Sequence, residues 1–119
     1  MVRSEIQQRG RTGEDLAANH LVLMGMEIVE RNYRFGHAEI DIIARDGETL
    51  VFCEVKARAS DRFGDPAYAV TPRKQAQIRH VAAGYLFEHQ IAQQRCRFDV
   101  VTIRFVAGRP VLKYFRNAF

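Results

Sequence analysis

The stretch LVFCEVKAR, residues 50–58, reads as an apolar strand until Glu54 and Lys56 appear on alternate positions. Side chains two apart on a strand share a face, so this acid and this ammonium stand together. The preceding run, AEIDIIARD, places Glu39 and Asp41 on a common face by the same rule. Like charges facing each other across a sheet are destabilising, and two carboxylates forced together raise one another's pKa unless a cation neutralises them. Oxygen ligands at strand ends suit Mg²⁺, which takes one or two carboxylates and fills its other positions with water and substrate phosphate. A lysine two residues beyond one ligand could orient or help deprotonate an attacking water. Such a set cleaves phosphodiesters. The plain alternative is a solvated sheet face carrying an ordinary cross-strand Glu–Lys pair.

Whether Asp41 and Glu54 meet depends on the turn between their strands. Asp46-Gly47, flanked by two strand-like runs, is a strong hairpin signal. A two-residue loop at Asp46-Gly47 sets Asp41 opposite Phe52 and diagonal to Glu54. A four-residue loop, Asp46 to Thr49, sets Asp41 opposite Glu54 and Glu39 opposite Lys56. An odd loop separates the acids unless a bulge restores the register.

The surrounding elements follow from periodicity and punctuation. Thr12 with Asp15 resembles a capping box, and Ala17, Leu21 and Met24 recur at helical spacing before Gly25 closes the helix. MEIVERNYR alternates as a first strand through about Tyr33, with Asn32 holding a turn near its end. ASDRFGDPA reads as a mobile surface loop after the hairpin. Thr71-Pro72 starts a second helix whose apolar face is Ile78, Ala82, Tyr85 and Leu86. RFDVVTIRF is a fourth strand, and AGRP turns the chain into a fifth, VLKYF. The expected fold class is α/β, a mixed sheet flanked by helices in the order α-β-β-β-α-β-β.

The 119 residues, 47% of them hydrophobic, suit a single globular domain over 1–119. No run approaches about 18 uninterrupted apolar residues, so no membrane span is expected. The N-terminus has no apolar signal core, and a cytoplasmic location is expected. Cys53 and Cys96 lack paired spacing and read as reduced thiols. Fifteen of the 18 basic residues are arginine, and net charge is +4, which fits a nucleic-acid partner. A genome-wide preference for arginine codons explains the ratio equally well.

The segments GEDLAANHLVLMGMEIVERNYR, AEIDIIARDGETLVFCEVKAR, GDPAYAVTPRKQAQI and RFDVV together resemble the YraN-like family of bacterial proteins, from about Gly13 to about Val101. That family is grouped with the PD-(D/E)xK endonuclease fold and is similar to archaeal Holliday-junction resolvases. The resemblance implies a restriction-endonuclease-like core. It implies Asp41 and Glu54 as ligands of Mg²⁺ or Mn²⁺, with the backbone carbonyl of Val55 between them, and Lys56 as the catalytic lysine. Glu14 matches an additional glutamate on the first helix of resolvase-like members. It shares a helical face with Ala17, Ala18 and Leu21, although an acid in a first turn also stabilises the helix dipole. Ile40 stands where other members of the fold carry proline, and Ala38 where the family usually has glycine.

Arg58 and Arg62 begin the loop after the motif, and Arg73 and Lys74 open the second helix, where a helix N-terminus with flanking cations suits phosphate. Solvated surface cations are the alternative. Gln75 could also face the site, as polar residues on this helix do in related nucleases. His37 reads as a turn residue, Asp99 as a partnered buried acid, and Phe63 and Tyr68 as packing residues that could stack on bases. The expected activity is metal-dependent cleavage of DNA, branched or structured DNA included. The rivals are a non-catalytic nucleic-acid-binding module and an interaction protein in DNA maintenance. Related resolvases are dimers, but no interface signature stands in this chain.

Overall fold

A computed structural model describes the backbone of residues 5–58 and 70–119, and the side chains of residues 12–57 and 70–119. The order is α1 (Glu5–Leu23), β1 (Glu27–Phe35), β2 (Ala38–Asp46), β3 (Thr49–Arg58), α2 (Pro72–Glu88), β4 (Cys96–Val106) and β5 (Arg109–Phe115). The strands form one mixed sheet in sequential order, with β3 and β4 parallel and every other neighbour pair antiparallel. This is the α-β-β-β-α-β-β order expected from the sequence. The parallel pair follows from α2, which carries the chain back across the sheet before β4 begins.

The two helices cover opposite faces. Ala17, Ala18 and Leu21 of α1 pack with Ile42, Ala44, Val51, Cys53, Val101 and Ile103. Ile78, Val81, Ala82 and Tyr85 of α2 pack with Ile40, Ile43, Leu50, Phe52 and Val100. Gly84 lies so close under the Phe35 ring that no side chain fits there. No described helix is long and apolar enough to cross a membrane.

Several local expectations hold. Gly25, at φ +93°, ends α1 in a Schellman arrangement, with Met26 N–H donating to Leu21 O and Gly25 N–H to Val22 O, both at 3.0 Å. Thr71 caps α2, its hydroxyl accepting from Lys74 N–H at 3.2 Å, with Pro72 at the first helical position. Both cysteines are free thiols.

Four expectations are corrected. Thr12 does not cap α1, which begins at Glu5, so the Thr12–Asp15 pattern lies in the helix interior. Met24 is 46% exposed because α1 has ended and the chain is already turning there. Asn32 lies inside β1, which continues to Phe35, and adopts φ +54° there. The hairpin loop is Gly47-Glu48, since Asp46 pairs with Thr49. Gly47, at φ +60°, takes the first central position, as a type II′ turn requires. The resulting register is the one foreseen for a four-residue loop. The loop segment ASDRFGDPA, with Arg62 and Phe63, lies outside the described residues, as does Tyr68.

Candidate functional site

Strands β2 and β3 pair from the turn up to Ile42 and Cys53 and then part. Asp41 and Glu54 are the next residue on each strand, facing one another where the ladder opens. Cross-strand hydrogen bonds end there, and Asp41 supplies a substitute: Val55 N–H donates to its Oδ2 at 2.8 Å.

The strand also turns over at Asp41. Ile40 packs with the α2-side core and Ile42 with the α1-side core, although residues two apart normally share a face. Its partner strand breaks at the facing position. Arg31 reaches the α1 side and Tyr33 the α2 side, with Asn32 between them in a left-handed conformation. Asp41 thereby lies between the two layers, not on either. Glu14 approaches from α1 on one side. Glu54, on the Phe52 face of β3, approaches from the other.

Asp41 is close enough to both Glu14 and Glu54 for its charge to act on each. Burial, then the charge of Asp41, pushes the Glu54 carboxyl up to about 8. Asp41 is also raised, by burial foremost, with the Val55 amide opposing the shift. Glu14 is raised by burial and by Asp41, with Arg31 opposing. Glu54 is 5% exposed, and its Oε1 is buried without a hydrogen-bond partner among the described residues. A single proton on the Asp41–Glu54 pair would relieve the repulsion between the two carboxylates. A divalent cation would resolve it more completely, and an orphaned buried carboxylate oxygen is what such an ion takes as a ligand.

Two cations flank the acids. Lys74 Nζ stands 3.9 Å from Glu54 Oε2, reaching over from α2. Arg31 Nη2 stands 3.9 Å from Glu14 Oε2 and 2.8 Å from Asp15 Oδ1. Arg31 was not foreseen as part of the site, although the polar run Glu30-Arg31-Asn32 in the middle of an alternating strand marks the spot. Glu39 pairs with Arg34 at 3.0 Å, beside the site and not in it.

The remaining expected residues are placed as follows. Lys56 follows Glu54 on the same face of a regular strand, exposed, and forms no ion pair among the described residues. Arg58 ends β3, and its side chain lies outside the described residues. Arg73 is exposed in the first turn of α2, a turn without acidic residues. Gln75 donates from Nε2 to Val70 O at 3.0 Å, which holds the chain entering α2. His37 is exposed in the β1–β2 turn. Among the described residues no three acidic, histidine or cysteine side chains close around a common point as a ready-made metal cage. Among the described residues, the oxygens left for a ligand are those of the Asp41–Glu54 pair, Glu54 Oε1 above all, a donor type that hard divalent cations take.

The raised carboxyls carry a pH signature. A group whose folded pKa lies above its ordinary 4.5 favours the folded state fully below that value and loses its contribution as pH rises through the folded value, here about 8. Stability without divalent ions should therefore fall between pH 5 and pH 9 through this site, and Mn²⁺ should restore it at the alkaline end. Urea unfolding midpoints at both pH values, with and without Mn²⁺, check this. In Glu54→Gln the pH-dependent drop should shrink, and an unchanged drop would remove Glu54 as its source.

Comparison with known proteins agrees with the motif reading. The chain is 48% identical over 111 residues to a UPF0102 protein of Frankia casuarinae, covering 92% of this chain and 94% of that protein. It is 53% identical over 110 residues to a UPF0102 protein of Chlorobaculum tepidum, covering 91% and 85%. A UPF0102 protein of Acidothermus cellulolyticus is 47% identical over 122 residues, covering 92% of each. Residues 13–103, which include Glu14, Asp41, Glu54 and Lys56, match the family described as Uncharacterised protein family UPF0102. The chain belongs to the UPF0102 family, the YraN-like proteins that its motifs resemble.

Proposed function

We propose that this protein is a Mg²⁺- or Mn²⁺-dependent nuclease acting on DNA phosphodiesters, with branched or otherwise structured DNA in its range. The observation that carries this reading is the pairing of half-buried Asp41 with buried Glu54 at the opening of the β2–β3 ladder, with Glu54 Oε1 lacking a hydrogen-bond partner among the described residues. A divalent ion held by Asp41, Glu54 and the Val55 carbonyl would supply positive charge to the phosphodiester. The chain's own groups do the rest. The Val55 amide fixes the Asp41 carboxylate, and Arg31 holds Glu14 beside it. Lys56, exposed on the Glu54 face, orients the attacking water. Arg73, in the acid-free first turn of α2, takes a neighbouring phosphate.

A second reading, a nucleic-acid-binding module without turnover, draws support from Lys56, which stands free of the acids among the described residues. Cleavage of branched and single-stranded DNA with Mn²⁺ separates the two. The nuclease reading expects turnover that chelation abolishes and that Lys56→Ala reduces by about a hundredfold or more. Salt-dependent binding with no turnover would favour the module. Neither binding nor turnover would favour a protein-interaction role.

A further inference from the structure

Of the three lysines in the chain, the one nearest the acids is Lys74 and not the motif lysine. Its backbone is anchored at the start of α2 by the Thr71 cap and Pro72. Gln75 next to it ties the helix to Val70, so the first turn has little freedom to shift. From this fixed base the Lys74 side chain, 37% exposed, leans onto the side chain of Glu54, which is 7% exposed. Its charge also lowers the cost of ionising Asp41. The long flexible stem can swing outward without disturbing the helix.

We propose that Lys74 is the built-in counter-ion of the acid pair, exchanging with the divalent cation for Glu54: the ammonium partners Glu54 while the site is empty and is driven off when the ion binds. This rests on the metal reading given above and goes beyond it in naming what occupies the site's charge between turnovers. The physical reason is that an ammonium 3.9 Å from one carboxylate oxygen and a dication on the same carboxylate repel strongly in a half-buried setting. The displaced ammonium stays tethered beside Arg73 at a helix N-terminus, where substrate phosphate is the available anion. Lys74 thus serves as a positioning residue that keeps the acids ordered and couples ion uptake to phosphate binding.

Calorimetric titration of Mn²⁺ into wild type, Lys74→Met and Lys74→Gln, paired with thermal melts of the ion-free proteins, tests this. Because exchange is reciprocal, removing the ammonium should tighten Mn²⁺ binding by about fivefold or more. The same change should lower the ion-free melting temperature, and Mn²⁺ should close that gap. Lys74→Gln serves the same purpose should Lys74→Met fail to fold. Wild-type binding with an unchanged or weaker Kd in the variants would overturn the counter-ion role alone, including the case of a merely structural ion pair that shifts only the melting temperature. No Mn²⁺ binding by any of the proteins would overturn both this proposal and the metal reading beneath it.

Discussion

Asp41→Asn should leave the fold intact and remove divalent-ion binding. The amide oxygen can still accept from Val55 N–H, the hydrogen bond that ties the Asp41 side chain to β3. What disappears is the negative charge that raises both Glu54 and Glu14. Loss of groups that merely orient metal ligands typically costs about 10- to 100-fold in affinity, so loss of a ligand should cost about a hundredfold or more. Cleavage should fall by at least as much. The ion-free variant should be no less stable than wild type at pH 8, because one of two crowded carboxylates has become neutral. Calorimetry with Mn²⁺ beside a thermal melt reads both effects. Wild-type affinity in Asp41→Asn would sink the acid pair as a metal site. A collapsed melt would instead show that the carboxylate serves the fold.

The second large effect concerns stability and lies one strand over from the acid pair, where Asp99 of β4 pairs with Cys53. Asp99, fully buried in β4, accepts from Arg97 Nε at 3.0 Å and 3.1 Å, from the Tyr114 hydroxyl, and from Asn117 N–H at 2.9 Å. Arg97, itself 5% exposed, reaches on to Asp46 Oδ2 at 3.0 Å. One carboxylate therefore joins the end of β2, the start of β4, β5 and the segment after it. Burial and the bond to Asp99 hold the Tyr114 hydroxyl well above its ordinary pKa, so it stays a donor at any working pH. Arg97 Nη2 is already buried without a hydrogen-bond partner among the described residues. Asp99→Ala takes away the buried carboxylate of the Arg97 cation and leaves it the half-buried Asp46, and breaking a buried pair in this way costs about 3–5 kcal/mol. For a chain of this size the melting temperature should drop by roughly 10–20 °C. Replacing both partners with apolar residues, Arg97→Met with Asp99→Leu, should recover much of the loss, because no buried charge remains. Urea unfolding of the single and double variants measures this. A loss below about 1 kcal/mol in Asp99→Ala would show that water enters the network.

Much of the fold was legible because local chemistry and packing agree along most of the chain. The Asp46-Gly47 signal, the strand alternation beyond it, the Thr71-Pro72 start and the Gly25 stop each act within a few residues of themselves. Such signals survive folding unchanged. The exceptions share a cause. Thr12 has the chemistry of an N-cap, but helical backbone on its N-terminal side leaves no free helix end for it to cap. The hairpin closes at Gly47-Glu48 because the II′ geometry wants glycine first, and this single step moves Asp41 from diagonal to opposite Glu54.

The acids of the site could be named from residue types and spacing, helped by the family resemblance. How they meet could not. Asp41 lies between the layers because β1 and β2 both break alternation at facing positions, and strict period-2 reasoning assigns it to one face. Lys74 was expected on a phosphate and pairs with Glu54, while Lys56 stays clear of the acids among the described residues. Arg31 joins Glu14 because α1 crosses β1 there. Sequence determined which charged groups this protein carries and which elements bear them, because composition and short-range periodicity act along the chain. Tertiary structure decided which charges are buried and which become partners, because desolvation and a 4 Å contact depend on the packing of segments distant in sequence.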